Sequence, residues 1–200
     1  ADVLAGLRGG GRLIADQGGE ATYVGYSMGG RYLLHLALAN PELVRGLVLL
    51  GATAGIDDDA ERAARAEADR RTAARLRSQG LLEFLQGWVA QPMFAGIPAE
   101  RQYLLERMEN TVDGLESSLL QSGTGAQDPT WDKLHRLEMP VLVLAGEHDD
   151  KFVGLGRRLQ GSIGDNAAFA TVPGAGHAAH LEQPEAFLAV LRPWLAEHGL

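Results

Sequence analysis

Gly25-Tyr26-Ser27-Met28-Gly29 is the stretch that decides the fold. It has the Gly-x-Ser-x-Gly spacing of a nucleophile elbow. Residues 21–26, Ala-Thr-Tyr-Val-Gly-Tyr, read as a short buried strand, and residues 28–39 read as a helix closed by Asn40-Pro41. Ser27 sits on the sharp turn between them. Side chains at Gly25 and Gly29 are expected to clash in so tight a turn. The turn lifts the hydroxyl above the sheet edge. It also puts the Met28 N–H at a helix amino terminus, where it serves as an oxyanion donor. Residues 45–50, Arg-Gly-Leu-Val-Leu-Leu, form a second buried strand ended by Gly51. Strand, elbow, helix, strand is one crossover unit of a parallel sheet.

The same alternation returns near the carboxyl end. Residues 139–145 read as an apolar strand, 152–160 as a helix, 167–172 as a strand and 184–198 as an amphipathic helix. Asp149 follows the first of these strands and His177 follows the second. With Ser27 they stand at carboxyl ends of parallel strands, where open α/β sheets place their ligands. The chain order Ser, Asp, His suits this architecture. His177 takes the Ser27 proton, and Asp149 holds the imidazole tautomer and stabilises the imidazolium. Asp150 is the rival acid, expected to face solvent. Glu147 and His148 are loop residues that help position Asp149, and Glu182 reads as structural.

Between these halves the pattern is helical. Residues 57–79 read as a polar helix with a thin apolar side, and 80–95 as a more apolar segment. A third helix is expected over 98–109, started by Pro98, and a short fourth over 112–120. Residues 122–129 read as loop, and Trp131 to Leu137 as a helix. The expected organisation is core over 1–56, an inserted helical cap over 57–127, and core again over 128–200. Ahead of the first strand, Val3, Leu4, Leu7 and Leu13-Ile14 suggest a helix, which Gly9-Gly10-Gly11 is expected to damage.

The chain has 200 residues, 46% of them hydrophobic, enough for one domain with a substantial core. A net charge of −8, with basic residues dispersed, disfavours nucleic acid and anionic membranes. The absence of Cys excludes disulfides, thiolate metal sites and cysteine nucleophiles. No signal peptide or apolar run of transmembrane length is visible, so a cytoplasmic location is the default. His148, Asp149, His177 and His180 form no compact metal-ligand motif. The glycines at 9–11 and at 51 and 55 lack the context of a phosphate loop or dinucleotide fingerprint. Neither metal nor organic cofactor is expected. His35 is expected to be packed or at the surface, and His135 and His198 at the surface. Oligomeric state has no signature here.

The chain resembles the 2-succinyl-6-hydroxy-2,4-cyclohexadiene-1-carboxylate synthases of menaquinone biosynthesis, a family of the α/β-hydrolase superfamily. The resemblance runs through Gly-Tyr-Ser-Met-Gly-Gly-Arg at 25–31 and Trp88-Val89-Ala90-Gln91-Pro92-Met93-Phe94. It continues in Arg107-Met108-Glu109-Asn110 with Gly114-Leu115, and in Gly123-Thr124-Gly125-Ala126-Gln127 with Trp131. It ends in Gly146-Glu147-His148-Asp149-Asp150-Lys151-Phe152 and in residues 174–182. It implies a mostly parallel sheet with helices on both faces and a helical cap. It also implies a lyase: the triad removes a proton beside a carboxylate, and an enolpyruvyl-bearing cyclohexene loses pyruvate. The substrate is then a small anionic organic acid. The resemblance assigns substrate contacts to Tyr26, Arg31, Trp88 and Arg107, with one early-cap arginine, Arg62 or Arg65. It also implies upstream strands and a His-Gly loop carrying a second oxyanion N–H, so this chain is expected to be a carboxyl-terminal portion without the first strands.

On the residues alone, Arg31 reads as a carboxylate binder or as a surface side chain, Arg107 as a ligand or a solvated arginine, and Trp88 as core or pocket lining. Three function classes stay open. They are the pyruvate-eliminating lyase, a serine hydrolase acting on an ester, lactone or carbon–carbon bond, and an inactive or binding-only fragment. Haloperoxidase-like or acyl-transfer chemistry would reuse the same triad. Convergent guanidinium groups favour the first.

Overall fold

The computed structural model describes residues 6–200; Val3 and Leu4, expected on the face of an opening helix, lie outside them. The chain runs α1 (Gly6–Gly18), β1 (Ala21–Tyr26), α2 (Met28–Ala39), β2 (Val44–Leu50), α3 (Asp59–Gln79), α4 (Leu81–Val89), α5 (Leu104–Arg107) and α6 (Val112–Ser122). It continues with β3 (Val141–Gly146), α7 (Asp150–Ile163), β4 (Ala167–Val172), α8 (Ala179–Glu182) and α9 (Pro184–Glu197). Two compact units result: residues up to Ala54 with Thr130–Leu200, and Gly55–Pro129.

The first unit is built on a four-stranded sheet in the order β1-β2-β3-β4, every pair parallel. Period-two alternation in the central strands explains why both faces are covered. Leu47, Leu49, Val141 and Val143 point to one face, where Ala15 of α1, Leu33, Leu34, Leu36 and Ala37 of α2, and Leu159 and Ile163 of α7 join them. Val48, Leu50, Leu142 and Leu144 point to the other, against Phe187, Leu191 and Trp194 of α9. Each fully buried Leu or Val contributes about 1.5–3 kcal/mol.

Register then sets the site. Tyr26 pairs with Leu50, Leu50 with Leu144, and Gly146 with Val172. The ladder runs one residue past each strand: Ser27 N–H donates to Leu50 O, Gly51 N–H to Leu144 O, and Glu147 N–H to Val172 O. Four chain reversals are thereby lined up along one sheet edge.

Gly9-Gly10-Gly11 does not damage its helix: α1 runs through all three glycines. A Cβ at Gly10 would run into the Tyr32 ring, and one at Gly11 would lie 3.1 Å from Tyr32 O and 3.2 Å from Leu36 N. The glycines let α1 approach α2 closely, so packing offsets their poor helix propensity.

The second unit is helical. α3 is capped by Asp58, whose side chain accepts from Glu61 N–H at 2.7 Å. It buries only Asp69, Ala73 and Leu76. Leu76 joins Phe84 and Leu85 of α4 in a small core, flanked by Trp88, Leu104, Met108, Val112, Leu115 and Leu119. Arg77 pairs with both Asp113 and Glu116, and its hydrogen bond holds the Glu116 carboxyl below the usual range. The single helix expected over 98–109 is instead a 3-10 turn at Ala99–Arg101 followed by α5. Tyr103 between them adopts φ 51°, a left-handed conformation that ends one helical run before the next begins. The segment Trp131–Arg136 is likewise 3-10 rather than α-helix.

Candidate active site

Ser27 is one of two described non-glycine residues at positive φ, with φ 49° and ψ −111°. Such a conformation costs on the order of 1–3 kcal/mol and persists only where its surroundings enforce it. Gly25 is one enforcing element, since a Cβ there would lie 2.7 Å from Gly30 N and 2.8 Å from Gly29 C. The second motif glycine behaves otherwise. A Cβ at Gly29 would meet nothing within 4 Å, whereas one at Gly30 would lie 2.7 Å from the Ala52 Cβ. The clash expected at Gly29 therefore belongs to Gly30. Met28 opens α2, at the positive end of the helix dipole.

His177 reaches Ser27 from the far side of the sheet edge. Its Nε2 lies 3.2 Å from Ser27 Oγ, and its Nδ1 lies 2.7 Å from Asp149 Oδ2. A carboxylate only accepts, so Nδ1–H donates to Asp149 and Nε2 is left to accept from the Ser27 hydroxyl. Asp149 is also the amino-terminal cap of α7, its Oδ1 accepting from Phe152 N–H at 3.4 Å. Asp150, one residue on, is exposed. The imidazole is 4% exposed and lies between the rings of Phe152, 4.5 Å away, and Tyr26, 5.3 Å away. Gly51, with φ 57°, clears its other side: a Cβ there would sit 3.0 Å from His177 Cε1.

The loop that carries His177 is tied down from several directions. Glu147 Oε2 accepts from Gly174 N–H at 2.8 Å, and His148 N–H donates to Ala175 O at 2.9 Å. Glu182 accepts from Gly176 N–H at 2.7 Å and from Ala178 N–H at 2.9 Å. A Cβ at Gly146 would collide with the carbonyls of Ala175 and Gly176. Glu182 and Gly146 were missed by sequence reasoning as parts of the site. Side-chain bonds to backbone six and four residues back have no periodic signature.

The sequence profile of the Alpha/beta hydrolase family matches residues 1–190. The 2-succinyl-6-hydroxy-2,4-cyclohexadiene-1-carboxylate synthase of Serratia proteamaculans (strain 568) is 34% identical over 179 residues, 88% of this chain and 68% of the relative. The chain belongs to that synthase family, within the α/β hydrolases. The synthase of the same name from Photorhabdus laumondii is 35% identical over 86% of this chain and 61% of its own length. Across such curated relatives the chain spans 61–68% of their length. The solved structure of MenH from S. aureus superposes with a TM-score of 0.86 at 28% identity, covering 95% of this chain and 73% of that one. A thermophilic esterase from Thermogutta terrifontis shares the fold, with a TM-score of 0.77 at 24% identity, covering 98% and 74%.

The remaining residues expected from the synthase resemblance divide between the two units. Arg31, four residues after Ser27, is 7% exposed, and its N–H donates to Ser27 O. It is therefore not the solvated surface arginine of the alternative reading. Trp88 is half-buried against Phe84 and Phe94 within the helical unit. Arg107 Nε donates to Gln102 O at 2.8 Å, bridging the Tyr103 break. Arg62 ties the start of α3 to Ile56 O and Asp59, while Arg65 pairs with buried Asp69 at 2.9 Å. His35 is buried on α2, and His135 and His198 are exposed. Among the described residues no group of three His, Cys, Asp or Glu side chains is arranged to hold a metal ion. No helix among them is long and apolar enough to cross a membrane.

Proposed function

We propose that the chain carries the triad of a pyruvate-eliminating lyase, the reaction named for its synthase relatives. The observation that carries the reading is the continuous relay Asp149–His177–Ser27, at 2.7 and 3.2 Å, with buried Arg31 one helical turn beyond the serine. His177 draws the Ser27 proton, and the serine oxygen takes the C–H proton beside a substrate carboxylate. The freed electron pair forms a ring double bond, and the bond to the enolpyruvyl oxygen breaks. The departing enolate accepts a proton from the His177 imidazolium and becomes pyruvate. Asp149 stabilises that imidazolium. The Met28 N–H, at the positive end of α2, favours negative charge on the oxygen that develops it. Arg31 supplies a guanidinium for a carboxylate, and Tyr26 walls the site beside His177. Trp88 and Arg107 are proposed as the helical unit's contribution to substrate binding. The substrate is a small organic polyacid.

A serine hydrolase is the second reading, because the same relay and the fold shared with an esterase suit acyl transfer. Pyruvate release from an enolpyruvyl-bearing cyclohexene polyacid, measured beside turnover of simple esters, separates the two. The lyase reading expects pyruvate and no ester turnover, with Arg31→Ala raising KM. Ester turnover without pyruvate release would sink it.

A further inference from the structure

We infer that Glu182 is the positioning residue of the site: its carboxylate clamps the two backbone N–H groups that bracket His177 and thereby sets the imidazole against Ser27. The inference rests on the reading of His177 as the proton-transferring base.

Glu182 ends α8 and is 9% exposed. Burying a carboxylate is costly unless both oxygens are hydrogen-bonded. Here each oxygen accepts one backbone N–H, Oε2 from Gly176 at 2.7 Å and Oε1 from Ala178 at 2.9 Å. These are the residues immediately before and after His177, so the carboxylate spans the histidine's own backbone. Gly176 keeps the approach open, since a Cβ there would lie 3.0 Å from Glu182 Oε2.

The two halves of the loop are held differently. Residues 174–175 rest on the loop that follows β3: Gly174 N–H donates to Glu147 Oε2 and His148 N–H donates to Ala175 O. Residues 176–178 carry the imidazole, and their N–H groups at 176 and 178 turn to Glu182. A carboxylate suits this job because it accepts at both oxygens. A glutamine has one carbonyl oxygen, and its NH2 would face an N–H donor. Misplacement by about 1 Å is enough to cost on the order of 100-fold in rate.

The test compares Glu182→Gln with Glu147→Gln, which removes charge from the outer anchor of the same loop, in the full protein. Three readouts are taken: thermal midpoint, kcat and KM for pyruvate release, and the low-field proton resonance of His177 Nδ1–H bonded to Asp149. Glu182→Gln is expected to stay folded and lose about 10–100-fold in kcat with KM within about threefold. Its low-field resonance should broaden or vanish through exchange. Glu147→Gln should lose less than about threefold in kcat and keep the resonance. A folded Glu182→Gln with kcat within about twofold of the parent and an unchanged resonance would overturn the inference. If that variant is recovered unfolded, the same criteria are applied to Glu182→Asp, which keeps both acceptors one methylene further back. Ser27→Ala and His177→Ala report separately on the underlying reading. If they retain full activity, the base assignment falls, while the resonance still decides whether Glu182 positions the His177–Asp149 pair.

Discussion

Ser27 is held by its own backbone, and His177 is held by other residues' side chains. At the elbow, a positive φ is enforced by close local packing, with Gly25 against the backbone of Gly29 and Gly30, and Gly30 against the Ala52 methyl group. At the histidine loop, two carboxylates and a backbone carbonyl take up the N–H groups at 174, 176, 178 and 148. The first arrangement is steric and local. The second is electrostatic and assembled from residues on β3's loop and on α8. The elbow should therefore respond to added volume alone, and the inner half of the histidine loop, residues 176–178, to lost acceptors as well.

The largest effect is expected where the second arrangement meets the chemistry. Asp149→Asn keeps the shape but loses the acceptor that selects the Nδ1–H tautomer. It should lower kcat by about three to four orders of magnitude, with little change in thermal midpoint, as measured by pyruvate release and calorimetry. A loss of tenfold or less would mean that the tautomer is set elsewhere. Gly146→Ala brings volume to the same loop. Its Cβ would meet the carbonyls of Ala175 and Gly176, and backbone cannot step aside cheaply. Denaturant unfolding should show a loss on the order of 3–5 kcal/mol.

Smaller effects sharpen the contrast at the elbow. Gly29→Ala adds a methyl group to open space inside α2. Relative to Gly, Ala favours a helix by about 0.5–1 kcal/mol, so the thermal midpoint should hold or rise. Gly25→Ala should fall by several times that amount, because its Cβ meets two backbone atoms. Equal losses at the two positions would refute the steric account of the motif.

The smallest expected effect is a change of slope. His180 packs on Tyr26, 4.5 Å between ring centroids, and its Nδ1 is buried with no hydrogen-bond partner among the described residues. Burial pushes its pKa down; the nearby Glu182 charge opposes the shift, and His177 adds to it. In the window between that lowered value and the ordinary histidine value of about 6.5, the unfolded chain binds more protons than the folded one. Stability contributed by neutral His180 is thus complete above the window and declines as pH falls through it. Unfolding free energy measured through this range should fall less steeply in His180→Phe than in the parent.

The elbow was legible in the sequence because everything it needs is contiguous over residues 21–39: a strand, a serine between glycines, a helix. The Ser, Asp, His order was legible because each residue follows an apolar run. What stayed hidden depends on partners distant in sequence. Gly9-Gly10-Gly11 looks like a damaged helix until Tyr32 and Leu36 are placed beside it. Glu182 looks merely structural until the backbone at 176 and 178 turns toward it. Arg31 shows the same limit, since four residues of spacing say nothing of whether a guanidinium is solvated or buried. The break at Tyr103 was invisible because no glycine or proline between Glu100 and Met108 marks a helix end.

Pyruvate release by Ser27→Ala beside the parent protein tests the central claim most directly. With the same enolpyruvyl-bearing substrate, the account expects the parent to release pyruvate. Removing the hydroxyl breaks the relay between substrate carbon and His177, and should lower kcat by about a thousandfold or more with the thermal midpoint unchanged. Pyruvate release by a folded Ser27→Ala at the parent rate would contradict it.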